Sequence, residues 1–269
     1  MGNQHVLGLD WIGGRHGWGV CRLELHGEPG AIELKTLAPG KEGCSLVRQA
    51  GRIVIDAPIG LPDGCRTGCK LRDCDRAAKR WIGKELQSSV FPAPCAGELA
   101  EWRRRRAAGL PQQRGHFRGL LPAIHSADII RSLHPETLES HPELAFAALA
   151  GRPLPAFAAK TTLTGALVRL GLLAGRCGIR LDLSDLARFG RIGAIDFIDA
   201  AAMAVVAAGW QREGDVPVLR SREGDPEPLG RRPDHRDMLM ALPADYRGPR
   251  DADLLAAEEV AAIGRAWSW

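Results

Sequence analysis

The sequence predicts an α/β fold: a five-stranded mixed sheet in the order 3-2-1-4-5, flanked by helices, with a basic helical insertion after the fourth strand. Three observations carry this. Residues 5–37 hold three short apolar or alternating runs separated by turn residues, which reads as an antiparallel meander. The segment Arg52-Ile53-Val54-Ile55-Asp56 is apolar and β-branched without alternation, as suits a strand buried on both faces in mid-sheet. Helical patterns dominate thereafter, so the fourth strand joins the first in parallel through a right-handed crossover.

Taken in order, 5–10 is an apolar strand, 17–25 alternates, and 31–37 forms the third strand after the turn His26-Gly27-Glu28-Pro29-Gly30. A short helix is expected at 45–50. Pro58 and Pro62 end the fourth strand, and the region 63–125 holds helices near 71–81 and 96–107. The prolines of Ser88-Ser89-Val90-Phe91-Pro92-Ala93-Pro94 exclude regular helix between them. Helix returns at 126–133. A strand at 137–140 leads into a helix over 143–150, with Pro142 as its first-turn residue. The clearest helices span 164–176 and 194–210. The Gly-, Pro-, Arg- and Asp-rich stretch 221–250 reads as a loop or arm, and Asp251 is a good N-cap for a last helix within 251–269.

With 269 residues the chain can bury a sizeable core, and 25% charged residues exclude a wholly disordered chain. No apolar run approaches ~18 residues, and Met1-Gly2-Asn3-Gln4-His5 lacks the layout of a secretory signal, so a cytoplasmic protein is expected. Seven cysteines, odd in number and scattered, point to reduced thiols. Cys65, Cys69, Cys74 and Cys95 match no common zinc or iron–sulfur spacing, so neither bound zinc nor a disulfide among them is expected. The net charge of +4 is unevenly spread. Residues 65–118 carry 13 Lys and Arg against 5 Asp and Glu, a balance of +8, while the remainder stands at −4. That asymmetry suggests a surface for a polyanion, although 30 of the 36 basic residues are arginine, as a GC-rich genome also produces.

Four acids stand out. Asp10 closes the first strand ahead of Gly13, Gly14 and Gly17, which permit a tight reversal. Asp56 closes the fourth strand. In Ala194-Ile195-Asp196-Phe197-Ile198-Asp199-Ala200-Ala201-Ala202 two acids lie three apart on one helix face, and the alanines after them allow close packing on a sheet. Brought together alone, such carboxylates would repel one another, and a divalent cation removes the conflict. Hard oxygen ligands suit Mg²⁺ or Mn²⁺. Any one of these acids by itself would more ordinarily be a helix cap or salt-bridge partner.

These residues resemble the RNase H fold in the variant seen in Holliday-junction resolvases. More closely, the chain resembles the predicted RNase H-like nucleases known as domain of unknown function 429. Matching blocks are Gly8-Leu9-Asp10 with Gly17-Trp18, Ile55-Asp56-Ala57-Pro58-Ile59-Gly60-Leu61-Pro62, and Cys74-Asp75 with Ser88-Ser89-Val90-Phe91-Pro92. Glu139-Ser140-His141-Pro142-Glu143 follows, then Lys160-Thr161 with Gly165 and Arg169, and Asp196 to Ala200. The resemblance implies a single RNase H-like domain and metal-dependent hydrolysis of nucleic-acid phosphodiesters by a two-metal mechanism. It implies that Asp10, Asp56 and Asp199 hold the metals with Asp196 as a further ligand, and that Glu139 and His141 lie beside them. Glu143 and Lys160 are further candidates for the surroundings of the site, with Lys160 reaching a phosphate. One departure stands out: where the family shows Pro-Lys-Ile and a Glu ahead of the residue matched by Asp128, this chain has Pro122-Ala123-Ile124 and Ser126.

Arg103, Arg104, Arg105 and Arg106, with Arg114 and Arg118, could clamp a nucleic-acid backbone, and Trp102 or Phe117 could stack on a base. The same arginines suit the solvated side of a helix. Gly13, Gly14 and Gly17 could cradle phosphate as in sugar-kinase-like ATPases, but those need two such domains. The alternative to a nuclease is a non-catalytic nucleic-acid-binding or adaptor protein of the same fold.

Overall fold

The computed structural model describes residues 5–26, 31–62, 71–111, 119–219, 227–228 and 240–243. The expected helix within 251–269, Arg114, Phe117, Arg118, Cys65 and Cys69 lie outside them, as does most of 221–250.

Five strands form the main sheet: β1 (His5–Gly13), β2 (Gly17–Glu24), β3 (Ile32–Leu37), β4 (Ile53–Asp56) and β5 (Thr137–Glu139). Their order is β3-β2-β1-β4-β5, as the RNase H-like reading requires. β1 pairs antiparallel with β2 and parallel with β4, and β4 pairs parallel with β5. The reversal from β1 to β2 turns on Gly17 (φ 76°), where a Cβ would also meet the Leu37 carbonyl oxygen at 2.1 Å.

The helices are α1 (Ser45–Arg48), α2 (Asp73–Leu86), α3 (Ala96–Ala107), α4 (Leu120–Leu133), α5 (Pro142–Ala150), α6 (Leu163–Cys177), α7 (Leu183–Ala187) and α8 (Gly190–Glu213). Thus α2, α3 and α4 make up the described insertion between β4 and β5. Gly83 (φ 78°) kinks α2, and residues 87–89 make only a 3-10 turn before the proline segment. α4 starts six residues earlier than its apolar pattern suggests, because Pro122 falls in the first turn, where no N–H is missed. Three further short strands, β6 (Pro217–Leu219), β7 (Glu227–Pro228) and β8 (Met240–Ala241), form a second sheet in the order β7-β6-β8. Two of them fall within 221–250. Strands of two residues carry no readable period.

Strand alternation divides the core into two layers. Leu7, Leu9, Trp18, Val20, Ile53 and Ile55 face Val47 of α1 and Ala123, Ala127 and Ile130 of α4. Val6, Cys21, Leu23, Val54 and Leu138 face α5, α6 and α8. Trp18 is buried, and its indole N–H donates to Ser126 Oγ (2.9 Å), whose hydroxyl donates to Glu42 Oε1 (2.5 Å). Position 126 therefore serves the layer opposite α8.

α8 lies directly on β1. A Cβ at Gly8 would meet the Ala200 carbonyl oxygen at 2.0 Å and the Ala204 nitrogen at 2.1 Å, so only glycine allows this approach. The alanine run supplies the flat side that the contact needs. The segment Gly193–Glu213 is long and apolar enough to cross a membrane by length and composition, more apolar than its three acids suggest, yet 72% of its most apolar window is buried inside the protein.

Candidate functional site

The parallel register of β1 and β4 sets Asp10 directly opposite Asp56. Both occupy even positions, so they face the α8 layer with Val6 and Val54. Asp10 is buried, and its Oδ1 accepts the Trp11 backbone N–H (2.8 Å). From its contact with Gly8, α8 carries Asp199 and Asp196 back over the strand ends, where both acids act electrostatically on Asp10.

Three cations stand among these acids. Lys160 Nζ is 2.8 Å from Asp199 Oδ2, and Arg169 Nη1 is 3.1 Å from Asp199 Oδ1. Arg169 also reaches Glu143 Oε1 (3.2 Å) and stacks over Phe146, 4.7 Å from its centroid. His141 is the N-cap of α5; its Nδ1 is 3.1 Å from Glu143 Oε2 and its Nε2 donates to the Ser89 carbonyl (3.2 Å). Against the cost of burial, the Glu143 hydrogen bond and the nearby Asp56 push His141 up to about 9. Against the same cost, His141 holds Glu143 well below the usual carboxylate range.

Even with His141 charged, five carboxylates (Asp10, Asp56, Glu143, Asp196, Asp199) face three cations among the described residues. The uncompensated charge falls on three of the acids. Burial, and then repulsion from Asp56 and Asp199, raises Asp10 well above the carboxylate range. Burial raises Asp56, with His141 and Lys160 opposing. Burial pushes Asp196 up to about 7, with Lys160 opposing and Asp199 and Asp56 adding. Asp196 Oδ2 is buried with no hydrogen-bond partner among the described residues.

Glu139 is not in this group. Alternation turns Leu138 toward the α8 layer and therefore Glu139 away from it. Its carboxylate takes both terminal nitrogens of buried Arg72, at 2.7 Å from Nη1 to Oε2 and in a closer pair from Nη2 to Oε1. Arg72 also binds Asp75 (2.6 Å) and the Ile59 carbonyl (3.1 Å), and the Ile59 N–H donates to Glu139 (2.6 Å). This network ties down the loop after Asp56. Burial pushes Glu139 up to about 7, while Arg72 and the Ile59 N–H pull it back.

The arginine run is held by its own neighbours. Arg103 pairs with Asp128 (2.5 Å) and donates to His125 Nδ1 (3.2 Å), Arg104 pairs with Glu101 (2.7 Å), and Arg105 donates to the Pro111 carbonyl (2.8 Å). Arg106 lies over Trp102, 5.2 Å from the ring centroid. Trp102 is itself buried with Leu99 and Ile124, so it is not presented for stacking on a base. Cys74 and Cys95 are both buried.

No sequence motif gives Arg72 a role, and Arg169 has none beyond a family match. The signal was present for the second: a lone arginine inside the apolar Leu-Val-Arg-Leu run of α6 needs a buried acid to pair with. Arg72 carried no such signal, because its partners come from three separate segments.

Among the described residues, no three His, Cys, Asp or Glu side chains converge closely enough to hold a metal ion as they stand. The chemistry of the donors nonetheless suits a hard divalent cation: Asp10, Asp56 and Asp196 offer only oxygen, carry excess negative charge, and include an unpaired buried oxygen. Asp199 differs, since each of its oxygens already holds a protein cation.

No curated protein and no solved structure matches the chain. The model of the family described as protein of unknown function (DUF429) matches residues 8–224, a span that takes in β2 to β5, β1 from Gly8 onward, and every acid of the site. The chain therefore belongs to the DUF429 family.

Proposed function

We propose that the protein is an RNase H-like nuclease that hydrolyses nucleic-acid phosphodiester bonds with Mg²⁺ or Mn²⁺. The observation that carries this reading is the Asp10–Asp56 pair, in register on parallel strands under Asp196, with a negative charge that the neighbouring cations leave unbalanced. The strand order and family membership support it. Asp10, Asp56 and Asp196 hold the cation. Bound there, it supplies Lewis-acid stabilisation and an activated water. Arg169 positions Asp199 and Glu143 by bridging them, and His141 ties α5 to the loop carrying Ser89. Arg72 holds Glu139 against the loop after β4 and so fixes the direction in which Asp56 leaves its strand.

The test is cleavage of single-stranded, duplex, hybrid and branched substrates with Mg²⁺, with Mn²⁺ and in chelator. Cleavage that needs metal and disappears in both Asp10→Asn and Asp56→Asn is the expected result. Absence of metal-dependent cleavage on every substrate, or its survival in both variants, overturns the reading. One observation favours the alternative of a non-catalytic nucleic-acid-binding protein: Lys160 and Arg169 already satisfy Asp199, as in a site that has replaced metal by protein cations. Substrate binding without cleavage would select it.

A further inference from the structure

The two cations on Asp199 are not equivalent. Arg169 has a side chain 1% exposed, bridges two carboxylates and stacks on Phe146, so it cannot leave without breaking the core. Lys160 has a side chain 34% exposed and reaches Asp199 with its terminal nitrogen from the short connection ahead of α6. Its backbone is held independently of that contact. Thr162 caps α6 by accepting the Gly165 N–H (2.9 Å), and its hydroxyl lies 2.9–3.0 Å from the Ala159 and Phe157 carbonyls. The flexible four-carbon stem can swing outward while the loop stays in place. Besides Asp199, the ammonium acts on Asp10, Asp56, Glu143 and Asp196, which include all three proposed cation ligands.

We propose that Lys160 is a built-in counter-ion of the metal-free site, which a divalent cation displaces from the acids toward solvent. The inference rests on the metal-dependent reading above. Lys160 and the metal draw on the same negative charge, and like charges a few ångströms apart exclude one another. Lys160 therefore holds the acids together when metal is absent and lowers metal affinity. Once expelled, its ammonium stands at the mouth of the site, where an anionic substrate enters. Lys160 is thus a positioning residue whose work is done before the metal binds.

Two measurements on the full chain test this. In the first, Mn²⁺ binding is titrated for wild type, Lys160→Met and Lys160→Arg, alongside melting in chelator. Lys160→Met should melt lower in chelator yet bind Mn²⁺ roughly tenfold more tightly, the effect of one elementary charge on a divalent ion a few ångströms away under water-like screening. Lys160→Arg should stay near wild type. Binding by Lys160→Met that is equal to or weaker than wild type overturns the proposal. In the second, which needs no variant, the lysines of wild type are acylated with and without Mn²⁺ and located by mass spectrometry. Lys160 should become severalfold more reactive with Mn²⁺ while the other lysines do not change; unchanged or lower reactivity overturns the proposal. If neither wild type nor Lys160→Met binds Mn²⁺, the metal-dependent reading itself falls. Normal Mn²⁺ binding with no effect at Lys160 removes this inference alone.

Discussion

Asp199 Oδ1 and Arg169 Nη1 stand 3.1 Å apart with both side chains at or below 1% exposure, joining α8 to α6 by an ion pair fully enclosed in protein. That contact separates Asp199 from Asp10, although the sequence groups the two as metal ligands. Asp10 takes one backbone N–H and carries its charge at a cost, whereas Asp199 is matched on each oxygen.

The consequence is a contrast between two isosteric changes. Asp10→Asn removes a repelling charge, so the chelated protein should be as stable as wild type or more stable. Asp199→Asn leaves buried Arg169 with Glu143 as its one remaining carboxylate among the described residues and should cost roughly 3 kcal/mol. Urea unfolding in chelator measures both. Equal losses for the two variants would mean that Asp10 is structurally paired as well.

Added Mn²⁺ should raise the melting temperature of wild type more than that of Asp10→Asn or Asp56→Asn, because a ligand stabilises the state that binds it. Thermal melts over a Mn²⁺ series decide this, and identical shifts in all three proteins would remove the two acids from the cation site.

Without metal, stability should fall as pH rises. The raised carboxyl of Asp196 binds a proton in the folded chain that the unfolded chain has released, and that advantage is lost as pH climbs from about 4 to about 7. His141, raised from 6.5 to about 9, contributes stability that is complete below its unfolded value and is lost between those two values. Melts in chelator from pH 5 to 9 should therefore descend. Metal affinity should rise over the same range as Asp196 loses its proton, so saturating Mn²⁺ should flatten the descent. A chelated profile that climbs with pH would contradict both assignments.

Gly8→Ala should be among the most damaging single-methyl changes. The new methyl would meet backbone atoms of α8 at 2.0 and 2.1 Å, and backbone cannot yield as a side-chain tip can. A loss of about 3 kcal/mol is expected, at the upper end for overpacking, with a weaker Mn²⁺ response because α8 carries Asp196. Urea unfolding and the Mn²⁺ shift check the two parts.

Replacing Arg103, Arg104, Arg105 and Arg106 together by Gln should lower the slope of log affinity against log salt for nucleic acid by about 1 or less. Four free arginines on phosphates would give roughly 3. Each arginine of the run must first leave a partner within the protein, Asp128, Glu101, the Pro111 carbonyl or Trp102. A fall near 3 would show that all four turn outward to the ligand.

The sheet was legible because its strands are short and either alternate or are uniformly apolar, and α3 was placed to the residue. Asp56 is legible as the acid that ends an apolar strand; Asp10 ends the apolar run 5–10, but β1 continues past it to Gly13, so Asp10 lies within its strand. Family order groups Glu139 with them, but strand parity turns it to the other face, and its partner Arg72 lies 67 residues earlier in the chain. No local pattern encodes a pair of that separation. The same holds for β6 and β8, whose pairing depends on chain that returns from beyond residue 226.

That return has a further effect. Ser140 Oγ donates to the Ala241 carbonyl (2.7 Å), Leu242 N–H donates to the Pro217 carbonyl (2.8 Å), and β6 pairs with β8 beside the end of β5. A three-residue outer strand is thereby shielded on the side where another chain could add. On the opposite margin, β3 carries Glu33 and Lys35 in a charged ladder with Arg22. Charge on one border and a covering segment on the other are two means of denying a foreign strand a template. Loss of the chain after residue 239 would remove the cover and leave β5 as the weaker border, open to edge-to-edge aggregation.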